Sequence, residues 1–203
     1  MTLLTVLGLG VLLGMQHATE ADHLAAMATL VSRERSLWPG LRHGLAWGLG
    51  HTLTLLLVIG GIGLLGWVIS PELAGRFEQV VGAMLVLLGA HLMWRLWHPL
   101  PPTAHPHARV PGRSLLVGMV HGLAGSAALA LLIGQNLPTP LWQLAYVALF
   151  GLGSLLGMGL LSGAFALSVN LGARHLRGLH QLFNAGVAAV SMLLGMRLLL
   201  VMS

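Results

Sequence analysis

The chain has 203 residues, of which 56% are hydrophobic and 7% are charged, and its formal net charge is +5. Soluble domains carry about 25% charged residues, so this composition excludes an ordinary water-soluble domain. Several apolar stretches reach the roughly 20 residues that cross a bilayer core of about 30 Å. We therefore predict an all-α polytopic membrane protein that forms a single transmembrane domain over residues 1–203.

The ionisable residues narrow the function further. The chain has no cysteine, which excludes disulfides and thiolate metal sites and leaves His, carboxylate, Met, carbonyl or water as metal ligands. All ten cationic residues are arginines, and they occur singly in short loops. Membrane topology accounts for such a distribution, so the lipid bilayer is an expected partner and nucleic acid is not.

Turn signals divide the chain into six predicted transmembrane helices. These helices cover roughly residues 2–31, 41–69, 74–97, 114–134, 140–169 and 178–202. The Pro- and His-rich segment at 98–113 is the longest connection and lies at the midpoint of the chain. It is predicted to be a cytoplasmic linker between a first three-helix repeat at 1–97 and a second at 114–203.

The arginines also predict the orientation of the chain. The first, third and fifth loops hold eight of them, namely Arg33, Arg35, Arg42, Arg95, Arg109, Arg113, Arg174 and Arg177. Arg76 lies on the opposite side, and Arg197 lies near the end of the last helix. By the positive-inside rule those three loops face the cytoplasm, which places both termini outside the plasma membrane.

The two halves of the chain resemble each other. "GMQHATEADHLAAM" at 14–27 aligns with "GMVHGLAGSAALAL" at 118–131, and "GLGHTLTLLL" at 48–57 aligns with "GLGSLLGMGL" at 151–160. These alignments match His17 to His121, Asp22 to Ser126, and His51 to Ser154. Because each half has three spans, the second half enters the membrane in the opposite direction. Such inverted repeats are common in transporters, whose sites lie near the midplane between the repeats.

Four ionisable side chains interrupt the first apolar helix: His17, Glu20, Asp22 and His23. A charged group at the centre of a membrane helix costs about 2.5–3.5 kcal/mol, so such residues are functional candidates. Each residue of a regular helix turns by about 100°, which puts His17 and Glu20 on one face and Asp22 on another. Either the helix unwinds near Gly14 or Thr19, or other helices complete the site.

The candidates to complete a metal site are His51 and His121, both of which follow a glycine-containing turn of an apolar helix. Glu20, Ser126 and Ser154 are candidates for contacts around the ligands. Imidazole together with oxygen ligands favours a late first-row divalent metal, namely Ni, Co, Cu or Zn. The spacing of the residues leaves the choice among these metals open.

The motif H-x4-D-H, formed by His17, Asp22 and His23 and followed by "LAAM", resembles that of the nickel/cobalt transporter family. Members carry this motif in an early transmembrane helix, where it is implicated in metal recognition. "WGLGHTLTLL" resembles the next motif of the family and adds His51. The short chain and "HGLAGSAAL" at 121–129 resemble the small urease-accessory-type nickel permeases of the same superfamily.

The resemblance implies secondary transport of Ni²⁺ or Co²⁺, with uptake as the expected direction. The metal is then a substrate held by His17, His23 and His51, and Asp22 supplies charge or orients a histidine. No enzyme activity and no permanently bound cofactor are expected. A homo-oligomer or a soluble metallochaperone are possible partners.

Two other functions remain open from the residues. One is an intramembrane zinc hydrolase, in which His17, His23 and His121 bind Zn²⁺ and Asp22 activates water. The chain lacks H-E-x-x-H, and its repeat is typical of transporters. The other is an accessory membrane subunit that binds metal without translocating it.

Overall fold

The computed structural model describes residues 3–32, 34, 36–98, 112–137, 139–175 and 177–201. Within these residues the protein folds into seven α-helices. They are α1 (Leu3–His17), α2 (Ala21–Val31), α3 (Leu37–Leu65), α4 (Pro71–Trp97), α5 (Gly112–Asn136), α6 (Pro140–His175) and α7 (Arg177–Val201). Four apolar stretches, in α3, α4, α6 and α7, are long enough to cross a membrane. The all-α class and the presence of membrane-length apolar helices are as predicted.

Three of the predicted spans have clearly different boundaries in the structure. The first predicted span, 2–31, is two helices separated at 18–20, and α6 continues to His175, beyond the expected end at 169. Helix α3 begins at Leu37 and includes Pro39, because a proline in the first turn removes no helical hydrogen bond. It ends at Leu65, because Gly66 adopts a φ of 69° in the left-handed region.

Part of the predicted topology lies outside the described residues. This applies to most of the linker at 98–113 and to the loop arginines Arg33, Arg35 and Arg109. The side chains of Ser126, Arg174 and Arg177 also lie outside the described part of the chain.

The long helix α3 lies at the centre of the bundle, where it packs against α5 and α6. Helix α1 packs along α6, and α4 pairs with α7. Helices α3 and α6 run antiparallel, since Gly44 contacts Ser162 while the hydroxyl of Thr52 donates to the carbonyl of Gly151 at 3.1 Å. Small residues at the crossings let these backbones approach closely, as is common between membrane helices.

The contact between α4 and α7 gives a direct test of this packing. A methyl group on Gly89 would lie 2.6 Å from the carbonyl oxygen of Ala188, whereas a methyl group on Gly186 would meet nothing within 4 Å. Overpacking a helix contact costs about 1–3 kcal/mol. We expect Gly89→Ala to lower the apparent melting temperature in detergent. The decrease should be about 2–4 °C for each kcal/mol of stability that the overpacking removes. Gly186→Ala is the matched control and should leave the melting temperature unchanged or slightly raised.

Candidate metal centre

The break between α1 and α2 forms the framework of the centre. Helix α1 ends at His17, and the hydroxyl of Thr19 donates to the carbonyl of Gln16 at 2.6 Å. Glu20 then adopts an extended conformation, with φ −63° and ψ 148°, before α2 begins at Ala21. The break falls at Thr19, one of the two positions that helix geometry indicated. It lets residues from different faces of a regular helix turn toward one site.

Four imidazoles from four helices meet at this break. The ring centroids of His17 and His23 are 4.3 Å apart, and that of His51 lies 5.2 Å from His17 and 5.4 Å from His23. The ring of His121, on α5, lies 4.2 Å from His23. The side chains of His23, His51 and His121 are almost completely buried. The structure thus brings together the four histidines that the sequence selected.

Asp22 connects two of the imidazoles. Its Oδ1 accepts hydrogen bonds from the Nδ1 and the backbone N–H of His23, at 3.1 and 2.9 Å. Its Oδ2 accepts a bond from Nε2 of His121 at 2.9 Å. Because a carboxylate only accepts, it fixes the tautomer of each histidine and leaves the opposite ring nitrogen with a lone pair.

Glu20 contacts the imidazole of His17, as Asp22 contacts those of His23 and His121. Its Oε1 lies 2.8 Å from Nδ1 of His17, which leaves Nε2 of that ring as the possible metal ligand. The side chain of Glu20 is 56% exposed, against 14% for His17. Glu20 therefore lies at the open side of the centre, where it contacts the imidazole from outside the cluster.

Two overlapping groups of side chains have metal-ligand geometry. His17, His23 and His51 form one, and Asp22, His23 and His121 form the other, with ligand atoms within 4.8 Å of one another in each. Two nitrogens that lie about 2.1 Å from a single ion are about 3–4 Å apart. Small side-chain rotations would therefore close either group around one ion. His23 belongs to both groups.

The unpaired nitrogens favour the three-histidine group. Nε2 of His23, both ring nitrogens of His51 and Nδ1 of His121 have no hydrogen-bond partner among the residues that the structure describes. A buried polar atom left unpaired costs about 1–3 kcal/mol. The other group shares Nε2 of His23 and adds Nδ1 of His121, but the two oxygens of its carboxylate already accept bonds from both imidazoles. The three-histidine group has ligand atoms that lack a partner, and a metal cation would supply one.

Aromatic rings and close helix packing enclose the cluster. The ring of Trp47 stacks on His23 at 5.6 Å, and the ring of Phe150 lies 5.3 Å from His17. On α5, a methyl group on Gly122 would lie 2.7 Å from the carbonyl oxygen of His51, so only glycine allows this approach. The sequence prediction missed both aromatic residues. The only sequence signal for Trp47 is its position one helical turn before His51.

The three residues predicted to lie around the ligands, Glu20, Ser126 and Ser154, differ in their relation to the cluster. Ser154 is fully buried on α6, beside Gly14 of α1, and its hydroxyl lies 3.9 Å from Sδ of Met158. It belongs to neither ligand group. Ser126 lies outside the described side chains. Of the outer candidates, the described structure places Glu20 alone in contact with an imidazole of the cluster.

The position of His51 in the cluster can be tested by metal binding. We expect His51→Ala to weaken Ni²⁺ binding by more than about tenfold, or about 1.4 kcal/mol, in calorimetry on the detergent-purified protein. The reason is the loss of a buried imidazole whose two nitrogens have no other partner among the described residues. His98→Ala, at the exposed end of α4, removes a histidine away from the cluster and is the control. Equal affinities for the two variants would contradict the assignment.

Comparison with known proteins identifies the family. The chain is 35% identical over 213 residues to a urease accessory protein UreH from Bacillus sp. (strain TB-90), and the match covers 91% of this chain and 93% of that protein. No family model matches the chain, and no solved structure does. The chain therefore belongs to the UreH family of urease accessory proteins, which confirms its resemblance to the small urease-accessory-type members of the nickel/cobalt transporter superfamily.

Proposed function

We propose that the protein is a secondary permease that carries Ni²⁺ or Co²⁺ across the plasma membrane. The observation that carries this proposal is the buried group of His17, His23 and His51, assembled at a helix break inside an apolar bundle. Non-helical backbone at membrane depth is tolerated where it lines a site within the protein. Imidazole ligands suit late first-row divalent metals. The name of the UreH relative, which states a urease accessory role, agrees with a supply of nickel.

Asp22 is proposed as a positioning residue and a source of negative charge. Its two oxygens hold His23 and His121 in fixed tautomers, as carboxylates commonly do behind metal-binding histidines. The carboxylate also offsets part of the charge of a divalent ion held by neutral imidazoles. Because both oxygens already accept bonds from imidazoles, Asp22 is poorly placed to activate water. This favours transport over the hydrolase alternative.

The packing of the helices supports six crossings arranged as two inverted repeats. In this proposal α1 and α2 together correspond to α5, α3 corresponds to α6, and α4 to α7. The contacts are reciprocal under that exchange: α3 packs on α5 as α6 packs on α1, and α4 packs on α5 as α7 packs on α2. The metal centre lies where the first helix of each repeat meets α3. Alternating access would come from movement of one repeat against the other.

The surroundings of the centre are unequal on its two sides, as in a transporter state that is open toward one side of the membrane. Glu20 is exposed beside the centre, whereas buried side chains that include Met27, Val31, Leu88 and Val117 pack together toward the far end of α2. The arginine bias predicts that this far end faces the cytoplasm. A membrane potential that is negative inside favours entry of a divalent ion by about 4.6 kcal/mol per 100 mV.

Flux into proteoliposomes tests the proposal. Vesicles loaded with a metal-quenched dye would be exposed to Ni²⁺, Co²⁺, Zn²⁺ and Mn²⁺. We expect saturable quenching by Ni²⁺ or Co²⁺ with the wild-type protein and its loss with His17→Ala, because this substitution removes one of three ligands. His98→Ala should transport normally. Metal binding without flux in the wild type would favour an accessory subunit, and metal-dependent cleavage of lipid or peptide would favour the hydrolase.

A second variant separates positioning from coordination. Asp22→Asn keeps the shape of the side chain but removes its charge and replaces one acceptor with a donor. Loss of such a partner behind a metal ligand typically lowers metal affinity by about 10–100-fold. We therefore expect weaker Ni²⁺ binding and a higher half-saturation concentration for transport, with the bound metal still showing three nitrogen ligands by X-ray absorption. Glu72→Gln, in the first turn of α4, is the control for loss of a carboxylate.

A further inference from the structure

A second polar cluster lies at the other end of α2. The ends of α2, α3, α4 and α5 enclose a cleft of about 200 Å³, and one water needs roughly 10–15 Å³ of such space. Its polar lining comprises Thr29, Ser32, His43, His91, Arg95, Arg113 and Ser114, together with the carboxylate of Glu34. None of these residues contributes to the proposed metal centre. The cleft is therefore a cavity separate from the metal centre, and its lining combines polar side chains with apolar ones.

The charges of the cleft disfavour a cation. Among the described residues that line it, Arg95 and Arg113 supply two guanidinium groups and Glu34 supplies one carboxylate. Oε1 of Glu34 lies 3.5 Å from Nε2 of His43, so this carboxylate already has an imidazole partner. Among the described residues, no three potential ligands converge here as they do at the centre. The cleft thus has the sign of charge and the donors that suit an anion.

The donors around the cleft match those of a phosphate site. Arginine presents a planar set of N–H donors that binds phosphate oxygens in pairs. Arg113 has no carboxylate within 4 Å among the described residues, and it stands next to Ser114, whose side chain is fully buried. The hydroxyl of Ser114 lies 2.7 Å from Nδ1 of His43, which fixes α5 against α3 at the floor of the cleft.

The position of the cleft indicates the source of the phosphate. Trp38, at the start of α3, and Trp94 and Trp97, at the end of α4, are 64%, 52% and 76% exposed. Exposed tryptophans in membrane proteins collect at the level of the lipid headgroups. All three lie at the same end of the bundle as the cleft. Basic pockets between helices at this depth commonly bind anionic lipid headgroups.

We propose that this cleft binds a phosphate anion through Arg95 and Arg113, and that its occupant is the headgroup of an anionic lipid. The proposal is independent of metal transport, because it uses other residues at the opposite end of α2. The shared chemistry is a phosphate oxygen held by two guanidinium groups. A free phosphate ion is the competing source.

Native mass spectrometry of the detergent-purified full-length protein tests the proposal. Phosphatidylglycerol, phosphatidylcholine and inorganic phosphate would be added separately. We expect one phosphatidylglycerol molecule to be retained preferentially by the wild type, and its retention to fall at least about fivefold in Arg113→Gln and further in the double variant with Arg95→Gln. Arg76→Gln removes an exposed arginine from the other end of α4 and should retain the lipid as the wild type does.

The same measurements can also overturn the proposal. Equal retention of phosphatidylglycerol by the wild type and by Arg113→Gln would exclude the cleft as the site. Retention of inorganic phosphate in place of the lipid would replace the headgroup by a free anion. Arg113 is exposed, so its single variant is expected to fold even if the double variant does not. Normal metal flux with no lipid retention would reject the lipid proposal and leave the transport proposal intact.

Discussion

The hydrogen bonds of Asp22 to His23 and His121 are the interaction on which the centre depends. The side chain of Asp22 is 29% exposed, and a partly buried carboxylate in an apolar bundle is costly unless partners compensate its charge. Here the partners come from α2 itself and from α5, so the two halves of the chain must meet at this point. That contact requires a break before α2 and a close approach of α5 to α3 at Gly122. The same two bonds set the tautomers that leave lone pairs for a metal.

The sequence predicted the histidines of the centre because an ionisable group in an apolar helix is too costly to be incidental. Because no regular helix can turn His17 and Asp22 to one side, it also indicated either a helix break near Gly14 or Thr19 or ligands from other helices, and the structure has a break at 18–20. It did not predict the role of Trp47, because an aromatic residue at helical spacing is typical of ordinary packing. Its contact with His23 depends on how α2, α3 and α5 cross, and that geometry is a property of the whole bundle.

Helix boundaries were harder to predict than the helices themselves. A proline at 39 and a segment rich in glycine and arginine at 170–178 are typical of turns, yet α3 includes the first and α6 continues into the second. In the first turn of a helix a proline loses no hydrogen bond, and arginine is a good helix former. Where local preference is this weak, packing against neighbouring helices decides where a helix ends.

Helix α2 runs from the proposed metal centre to the proposed anion cleft. The charges of the cleft therefore act on an ion that moves along this helix. Nine residues separate His23 from Ser32, or about 14 Å along the helix. A unit positive charge at that distance from a divalent ion repels it by about 2 kcal/mol at an effective dielectric constant of 20. The repulsion grows as the ion moves toward the cleft. A lipid phosphate bound between Arg95 and Arg113 would offset one of their two positive charges. In the proposed uptake, an anionic headgroup in the cleft would therefore lower the electrostatic barrier for an ion that leaves the centre toward the cytoplasm.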